Sequence, residues 1–221
     1  MLNCWNTFAL QFFSMSKKAI FYTAFFVFLS IAFYLTAVYF IPDFNKRKLE
    51  PVSKVGKFTF TDQDGKPFSN KDVEGKIYVT EYFYTTCPGI CPMMNDNMKQ
   101  VYEKYKGTPG FLIVSHTCDP EKDSAAQLKH YADSMKVDTR QWVFLTGRKD
   151  SLYKMARLSY TIDDPKNYFN TDEDDFLHTQ FWALVDGKGN VLKIYDGLKQ
   201  KEINRLIADI ADELKNASKI N

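Results

Sequence analysis

Histidine and cysteine are scarce in this 221-residue chain, with three of the first and four of the second. So few thiols do not build a disulfide scaffold, and no spacing supplies the four strong ligands of a structural zinc site. Neither sign of charge dominates. The 29 basic and 27 acidic side chains leave a formal net charge of +2, which gives no support to nucleic-acid binding. Internal repeats and low-complexity tracts are also missing. What is left is an ordinary globular balance, 45% hydrophobic and 25% charged, with one exception near the N-terminus.

That exception is the uncharged run Ala19 to Ile41, preceded by Lys17 and Lys18 and followed by Pro42, Asp43 and Lys46-Arg47-Lys48. As a helix it is long enough for the ~30 Å hydrocarbon core of a bilayer. A cleaved signal has a shorter apolar region and a small-x-small exit, so an uncleaved anchor is the expectation. The basic flanks do not settle orientation, because a long folded domain translocates largely regardless of its charge. Met15-Ser16-Lys17-Lys18 resembles a short basic start, so residues 1–14, including Cys4, read as a dispensable upstream extension. The expected organisation is an extension and basic flank over 1–18, a transmembrane anchor over 19–41, a linker over 42–55 and one domain over 56–217.

Within that domain, "GKFTFTDQDGKPFSN" reads as a strand, an Asp-Gly turn and a return strand. "KIYVTEYFYT" and "FLIVSHT" are nearly continuous apolar runs, as in strands buried on both faces, and "WVFLTG" is a third. Between them, Met94, Met98, Val101, Tyr102 and Tyr105 recur at helical spacing, as do Ala125, Leu128, Ala132 and Met135. "SLYKMARLSY" predicts a short helix capped near Asp150 or Ser151; "GKGN" predicts a hairpin turn; Ile203, Leu206, Ile207, Ile210 and Leu214 mark a last helix. The order predicts an α/β domain with a mixed sheet flanked by helices, in the thioredoxin-like layout where a strand leads to a cysteine loop and a helix.

The chemistry concentrates in "YTTCPGICPMMN". Proline suits the first helical position and pushes its predecessor out of helical geometry. A helix is therefore predicted from Pro92, with Cys91 as its cap and Cys87 in the loop that Pro88-Gly89 bends back. Thiols at a helix N-terminus have a lowered pKa, and the thiolate is both a disulfide nucleophile and a soft-metal ligand. A redox pair, a metal site and two inert thiols in a tight turn all fit the spacing. Two sulfurs seldom complete a metal site. Among the histidines, His130 reads as a surface residue and His116 as a satisfied strand residue. His178, where the acidic connection meets "TQFWALVD", is the best third donor. Two thiolates and an imidazole suit copper, as Cu(I) or Cu(II). Met93 and Met94 are soft donors too, but Met94 fits the core stripe and Met93 the surface. The Thr86-Cys87 pair alone also fits a thiol peroxidase, a chemistry that leaves His178 without a task.

Together these motifs resemble the Sco/SenC family of copper-binding assembly factors of cytochrome c oxidase. "CPGICP" matches the family's Cys-x-x-x-Cys-Pro, "HTCDPEKDSAAQLKHYA" its Asp-Pro-x-x-Asp segment at Asp119, Pro120 and Asp123, and "FLHTQFWALVDGKGNVLKIYDG" its histidine-bearing strand and hairpin. The resemblance covers roughly residues 50–215. It implies a thioredoxin-like fold and copper held by Cys87, Cys91 and His178, with Asp119 as an acceptor that orients the loop. It implies a metallochaperone acting on the binuclear copper site of cytochrome c oxidase subunit II, or with its assembly factors. The alternative is a thiol–disulfide oxidoreductase with a redox-active disulfide, in which Cys87 attacks and Cys91 resolves. The domain is expected outside the cytoplasm, on the periplasmic side of a bacterial inner membrane rather than in the mitochondrial intermembrane space. Cys118 departs from the family pattern and reads as a buried neutral thiol, with a spare ligand as the other option. The acidic run with Asp163, Asp164, Asp172, Glu173, Asp174 and Asp175 is a docking surface or a solvated loop.

Overall fold

The computed structural model describes residues 16–40, 49–163, 177 and 179–218. The chain divides into two units, Met1–Lys48 and Leu49–Asn221. In the first, Lys17–Phe40 forms a single helix, α1, of 24 residues, about 36 Å at a rise of ~1.5 Å per residue. Its serine and threonine hydroxyls donate to the carbonyl four residues earlier, Thr23 to Ala19 O, Ser30 to Phe26 O and Thr36 to Ala32 O. Each of these three hydroxyls is thus satisfied without water, as suits a bilayer interior. By length and composition the helix can cross a membrane.

The second unit is built on one eight-stranded sheet. In chain order its elements are β1 (Ser53–Lys54), β2 (Thr59–Asp62), β3 (Pro67–Ser69), α2 (Asn70–Val73), β4 (Ile77–Phe83) and α3 (Cys91–Tyr105). Then come β5 (Phe111–Thr117), α4 (Ala125–Met135), β6 (Trp142–Thr146), α5 (Lys149–Lys154), a π-helical turn (Met155–Ser159), β7 (Phe181–Val185), β8 (Asn190–Asp196) and α6 (Gln200–Ala217). The order across the sheet is β1-β8-β7-β4-β5-β6-β2-β3. β4, β5 and β6 run parallel, and β7 and β2 join them antiparallel. The sheet is mixed, with the thioredoxin-like alternation the sequence predicts. Its outer strands are short, and Pro67 sits on one of them, where a missing N–H costs no ladder bond.

β4 and β5 are buried at every residue, because both faces of the sheet are covered. On one face, α3, α4 and α6 set Met94, Met98, Val101, Leu128, Ile203 and Leu206 against Val79, Phe83, Ile113 and Trp142. On the other, α2, α5 and the π turn set Val73, Leu152, Tyr153 and Met155 against Tyr78, Tyr82, Val114 and Leu145. A strand alternates its side chains between these faces. In β4 the odd-numbered residues therefore meet α3 and the even-numbered ones meet α5.

β1 lies within the stretch that the sequence assigned to a linker. It is held by main-chain bonds, Val52 N to Val191 O at 2.7 Å and Val55 N to Gly189 O at 2.8 Å, which leave no trace in hydrophobic periodicity. The predicted short helix "SLYKMARLSY" continues past Lys154 into the π turn. Its reach is fixed by packing and by Ser53 Oγ donating to Ser159 O.

Candidate metal and thiol centre

β4 ends at Phe83 and delivers the chain directly to the cysteine loop; α3 begins at Cys91, one residue earlier than predicted, with Ile90 as its cap and no side-chain capping bond. Proline therefore occupies the second helical position rather than the first. The uncapped end has a consequence, because the first N–H groups of a helix need acceptors. The Cys87 sulfur supplies one, receiving the backbone N–H groups of Cys91 and Gly89. Cys87 is half-buried and Cys91 buried, and neither is in a disulfide.

The two thiols act on one another and differ in character. Burial pushes the Cys87 thiol up. The Cys91 thiol, the two backbone donors and the Tyr84 hydroxyl outweigh it and bring Cys87 below the ordinary thiol value. Cys91 moves the other way, to about 12, because burial and the neighbouring Cys87 thiolate outweigh the one backbone donor, Tyr84 N–H. The hydrogen bond that Tyr84 gives Cys87 likewise holds its phenol up at about 12. The outer sulfur is thus the easier of the two to ionise.

The loop is tied down from the other side by Asp123, which is fully buried. Its carboxylate accepts from Thr85 N at 3.1 Å, Thr85 Oγ1 at 2.5 Å and Thr117 Oγ1 at 2.6 Å. Gln127 Nε2 adds a bond to Thr85 Oγ1. This clamp joins the end of β4, the end of β5 and the start of α4, and fixes the residue two before Cys87. Asp119, which the resemblance implies as an acceptor that orients the loop, pairs with Lys122 at 3.0 Å, and its N–H bonds Thr117 Oγ1. Both carboxylates belong to one sequence segment; the inward one is decided by the turn Asp123 N to Asp119 O.

His178 lies outside the described residues, as does the acidic run except Asp163, which pairs with Arg157 at 2.8 Å. The residues flanking position 178 are described. Leu177 is buried in the α5-side core, and Thr179 Oγ1 donates to Ile162 O. β7 starts at Phe181 and pairs antiparallel with β4 through Thr80↔Ala183 and Tyr78↔Val185. Its beginning therefore stands at the end of the sheet where β4 hands over to the cysteine loop.

The other predicted donors fall in different surroundings. His130 is exposed, Met93 is exposed and Met94 is in the core. Cys118 is buried on the α5 side of the sheet; burial holds its thiol well above the ordinary value. His116 is structural, as read, but it is not satisfied. Neither ring nitrogen has a partner among the described residues, and the ring is stacked on Tyr82 at 4.9 Å with Phe60 and Tyr160 around it. Burial lowers its pKa to about 3, so it packs as a neutral aromatic ring. The sequence reading passed over Glu81, although a carboxylate inside the apolar run "IYVTEYFY" was a visible signal.

A model of the SCO1/SenC family matches residues 46–215. The SCO1 protein homolog of Bacillus subtilis is 32% identical over 161 residues, covering 71% of this chain and 81% of its own length. Among solved structures, BsSco, described as a member of the Sco family of cytochrome c oxidase assembly proteins with a disulfide switch, superposes with a TM-score of 0.64 at 29% identity. It covers 79% of this chain and 100% of its own. Yeast Sco1, solved with copper bound, shares the fold with a TM-score of 0.58 at 24% identity over 74% of this chain and 89% of its own.

Proposed function

The chain belongs to the SCO1/SenC family, and on that premise we propose that it is a membrane-tethered copper carrier for cytochrome c oxidase assembly. Copper is its cargo, held by Cys87, Cys91 and His178 and delivered to the binuclear copper site of subunit II, or used to prepare that site. The observation that carries the reading is the sulfur pair itself: two mutually interacting thiols at a helix start without a side-chain cap, the outer one held below the ordinary thiol value. Soft thiolates select Cu(I), and imidazole accommodates Cu(II). The start of β7 at the same end of the sheet supports His178 as the third ligand. An accessible outer sulfur suits ligand exchange, since an acceptor's ligand can attach before Cys87 lets go. The apolar helix α1 tethers the domain, which we place on the outer side of the membrane.

Metal analysis of anaerobically purified protein tests this. The wild type is expected to hold about one copper, and Cys87→Ser, Cys91→Ser and His178→Ala to lose or greatly weaken it. Unchanged copper in all three variants would refute the carrier.

One observation favours a second reading, the thiol–disulfide oxidoreductase. The split between a low outer thiol and a high inner one is the division between an attacking and a resolving cysteine. A His178→Ala variant with full activity toward a disulfide partner would favour this reading. Loss of both activities would favour the carrier.

A further inference from the structure

Three carboxylates and one cation are buried among the described residues. Asp123 holds Thr85 and Thr117, Asp196 holds Gln180 and Lys199, and Glu81 accepts from Ser115 Oγ at 2.7 Å. The cation is Arg157. It is 2% exposed, and its Nε donates to Asp163 Oδ2 at 2.8 Å. A buried pair of this kind adds little net stability, because desolvation offsets the attraction. An apolar side chain would fill the same space as well, so stability alone does not account for it.

Two further irregularities lie beside it. Arg157 stands in the π-helical turn Met155–Ser159, a rare geometry that recurs at functional sites. Thr161 has a left-handed backbone, with φ of 55°, which a β-branched residue adopts only where its surroundings impose it. Here the imposing bonds are Tyr160 N to Met155 O at 2.9 Å and Ile162 N to Ala156 O at 3.0 Å. They leave Ile162 O to accept from Thr179 Oγ1 at 2.6 Å. Thr179 Oγ1 in turn accepts from Phe181 N at 3.2 Å, so one hydroxyl joins the π turn to the start of β7. Tyr153 ties the same turn toward the cysteine loop. The Arg157 guanidinium lies over its ring at 5.3 Å, and its hydroxyl donates to Cys118 O at 2.9 Å. Cys118 N in turn donates to Phe83 O at 2.7 Å, at the end of β4.

These contacts bracket one position in the chain. Leu177 is buried and Thr179 is bonded, so both neighbours of His178 are pinned. Ile162 and Asp163 are pinned to the π turn that Thr179 meets. We propose that the π turn, with Arg157, Asp163 and Thr179, is a socket that sets where His178 is presented to the cysteine pair. Arg157 and Thr179 are then positioning residues for copper. A ligand between unpinned neighbours gives up conformational freedom each time it binds, and pinning the neighbours in advance removes part of that cost. Supporting contacts of this kind are typically worth about 10- to 100-fold in metal affinity. Neither thiol needs the socket for its own reactivity, which is set by Tyr84, Gly89 and the partner sulfur.

The inference rests on His178 being a copper ligand. It is tested on the detergent-solubilised, anaerobic full chain in a Cys4→Ser background, by competition for Cu(I) with the coloured chelator bathocuproine disulfonate. Thr179→Val keeps the shape and deletes the hydroxyl. Arg157→Lys keeps the charge and deletes the planar Nε donor. Each is expected to weaken copper about 10-fold, while Thr179→Ser stays near wild type. In a His178→Ala background neither should weaken copper further, because the loss runs through the imidazole. Alkylation of metal-free Cys87 by iodoacetamide should keep the wild-type rate, because neither substitution touches the groups that set that thiol. Unchanged copper affinity in both variants would overturn the inference. So would an equal loss with and without His178, or a slowed alkylation, which would mean a distorted cysteine loop. If His178→Ala itself leaves copper binding intact, the ligand reading falls and takes this inference with it. If His178→Ala weakens copper and the two positioning variants do not, only this inference falls.

Discussion

Replacing Glu81 by Gln should make the protein more stable, and the gain should depend on pH in a stated direction. An ordinary glutamate loses its proton near 4.5, while the folded protein holds that of Glu81 to about 7 because burial disfavours the charge. Below 4.5 both folded and unfolded chains are protonated, and Glu81 exacts no penalty. Between 4.5 and about 7 the folded chain keeps a proton that the unfolded chain has released, so stability falls as pH rises. Above about 7 both are ionised and the loss is complete. Each tenfold difference in proton affinity is worth about 1.4 kcal/mol. Between pH 5 and pH 8 the wild type should therefore lose about 2 to 3 kcal/mol that Glu81→Gln does not. Solvent does not screen this carboxyl, because Glu81 is fully buried. The glutamine also keeps an oxygen for the Ser115 bond, and any fixed cost of its amide cancels in the comparison. Urea unfolding of both proteins at both pH values gives the four free energies. The gap between variant and wild type should widen by the stated amount from pH 5 to pH 8. A gap that stays constant within about 0.5 kcal/mol would refute the assignment of a buried, proton-holding carboxyl.

Three further outcomes follow from the same geometry. His116 titrates near 6.5 when unfolded but only at about 3 when folded. Its share of stability is therefore present above 6.5 and is lost as pH falls toward 3. His116→Phe, which keeps a ring in the Tyr82, Phe60 and Tyr160 cage, should shift acid unfolding followed by circular dichroism to lower pH. Asp123→Ala strands Thr85 N and two hydroxyls, so urea unfolding should show a loss of about 2 to 4 kcal/mol; an effect near zero would mean the clamp is idle. Cys91→Ala removes the thiol that helps hold Cys87 down. Iodoacetamide should then alkylate Cys87 more slowly at pH 7 than in wild type, although a competing thiol has gone, as mass spectrometry of the labelled peptide would report.

The sheet was legible where burial is local in the sequence. β4 and β5 are continuous apolar runs because both faces are covered, and their limits follow the runs closely. β1 was not legible, since two residues held by main-chain bonds to Val191 and Gly189 carry no pattern of their own. The cysteine pair was legible from spacing and proline. The division of labour inside it was not, because it depends on which sulfur caps α3 and which lies under it. Asp119 and Asp123 show the same limit. Both were visible as acids, and only the turn between them decides which one reaches Thr85. Glu81 broke an apolar run in plain view, but a strand pattern alone does not show that Ser115 from the next strand would reach its carboxyl.

The asymmetry of the pair follows from the order of elements. β4 is a central strand, so the chain leaving it must turn over the top of the sheet before α3 can pack on one face. The residue that makes the turn stays at the rim, and the residue that starts the helix is pressed against the core. Cys87 is the first and Cys91 the second. Three intervening residues let the outer sulfur fold back onto the helix N–H groups while the inner one remains in the first turn. An outer thiolate is the sulfur an incoming partner meets, whether that partner is a metal ion or a disulfide. An inner thiol can join only after its proton has somewhere to go. Carrier and reductase therefore make the same demand on this fold, an outer sulfur that meets the partner and an inner one that closes on it. Variants that separate the two readings should lie at His178, which the carrier reading needs and the reductase reading does not, rather than at either cysteine.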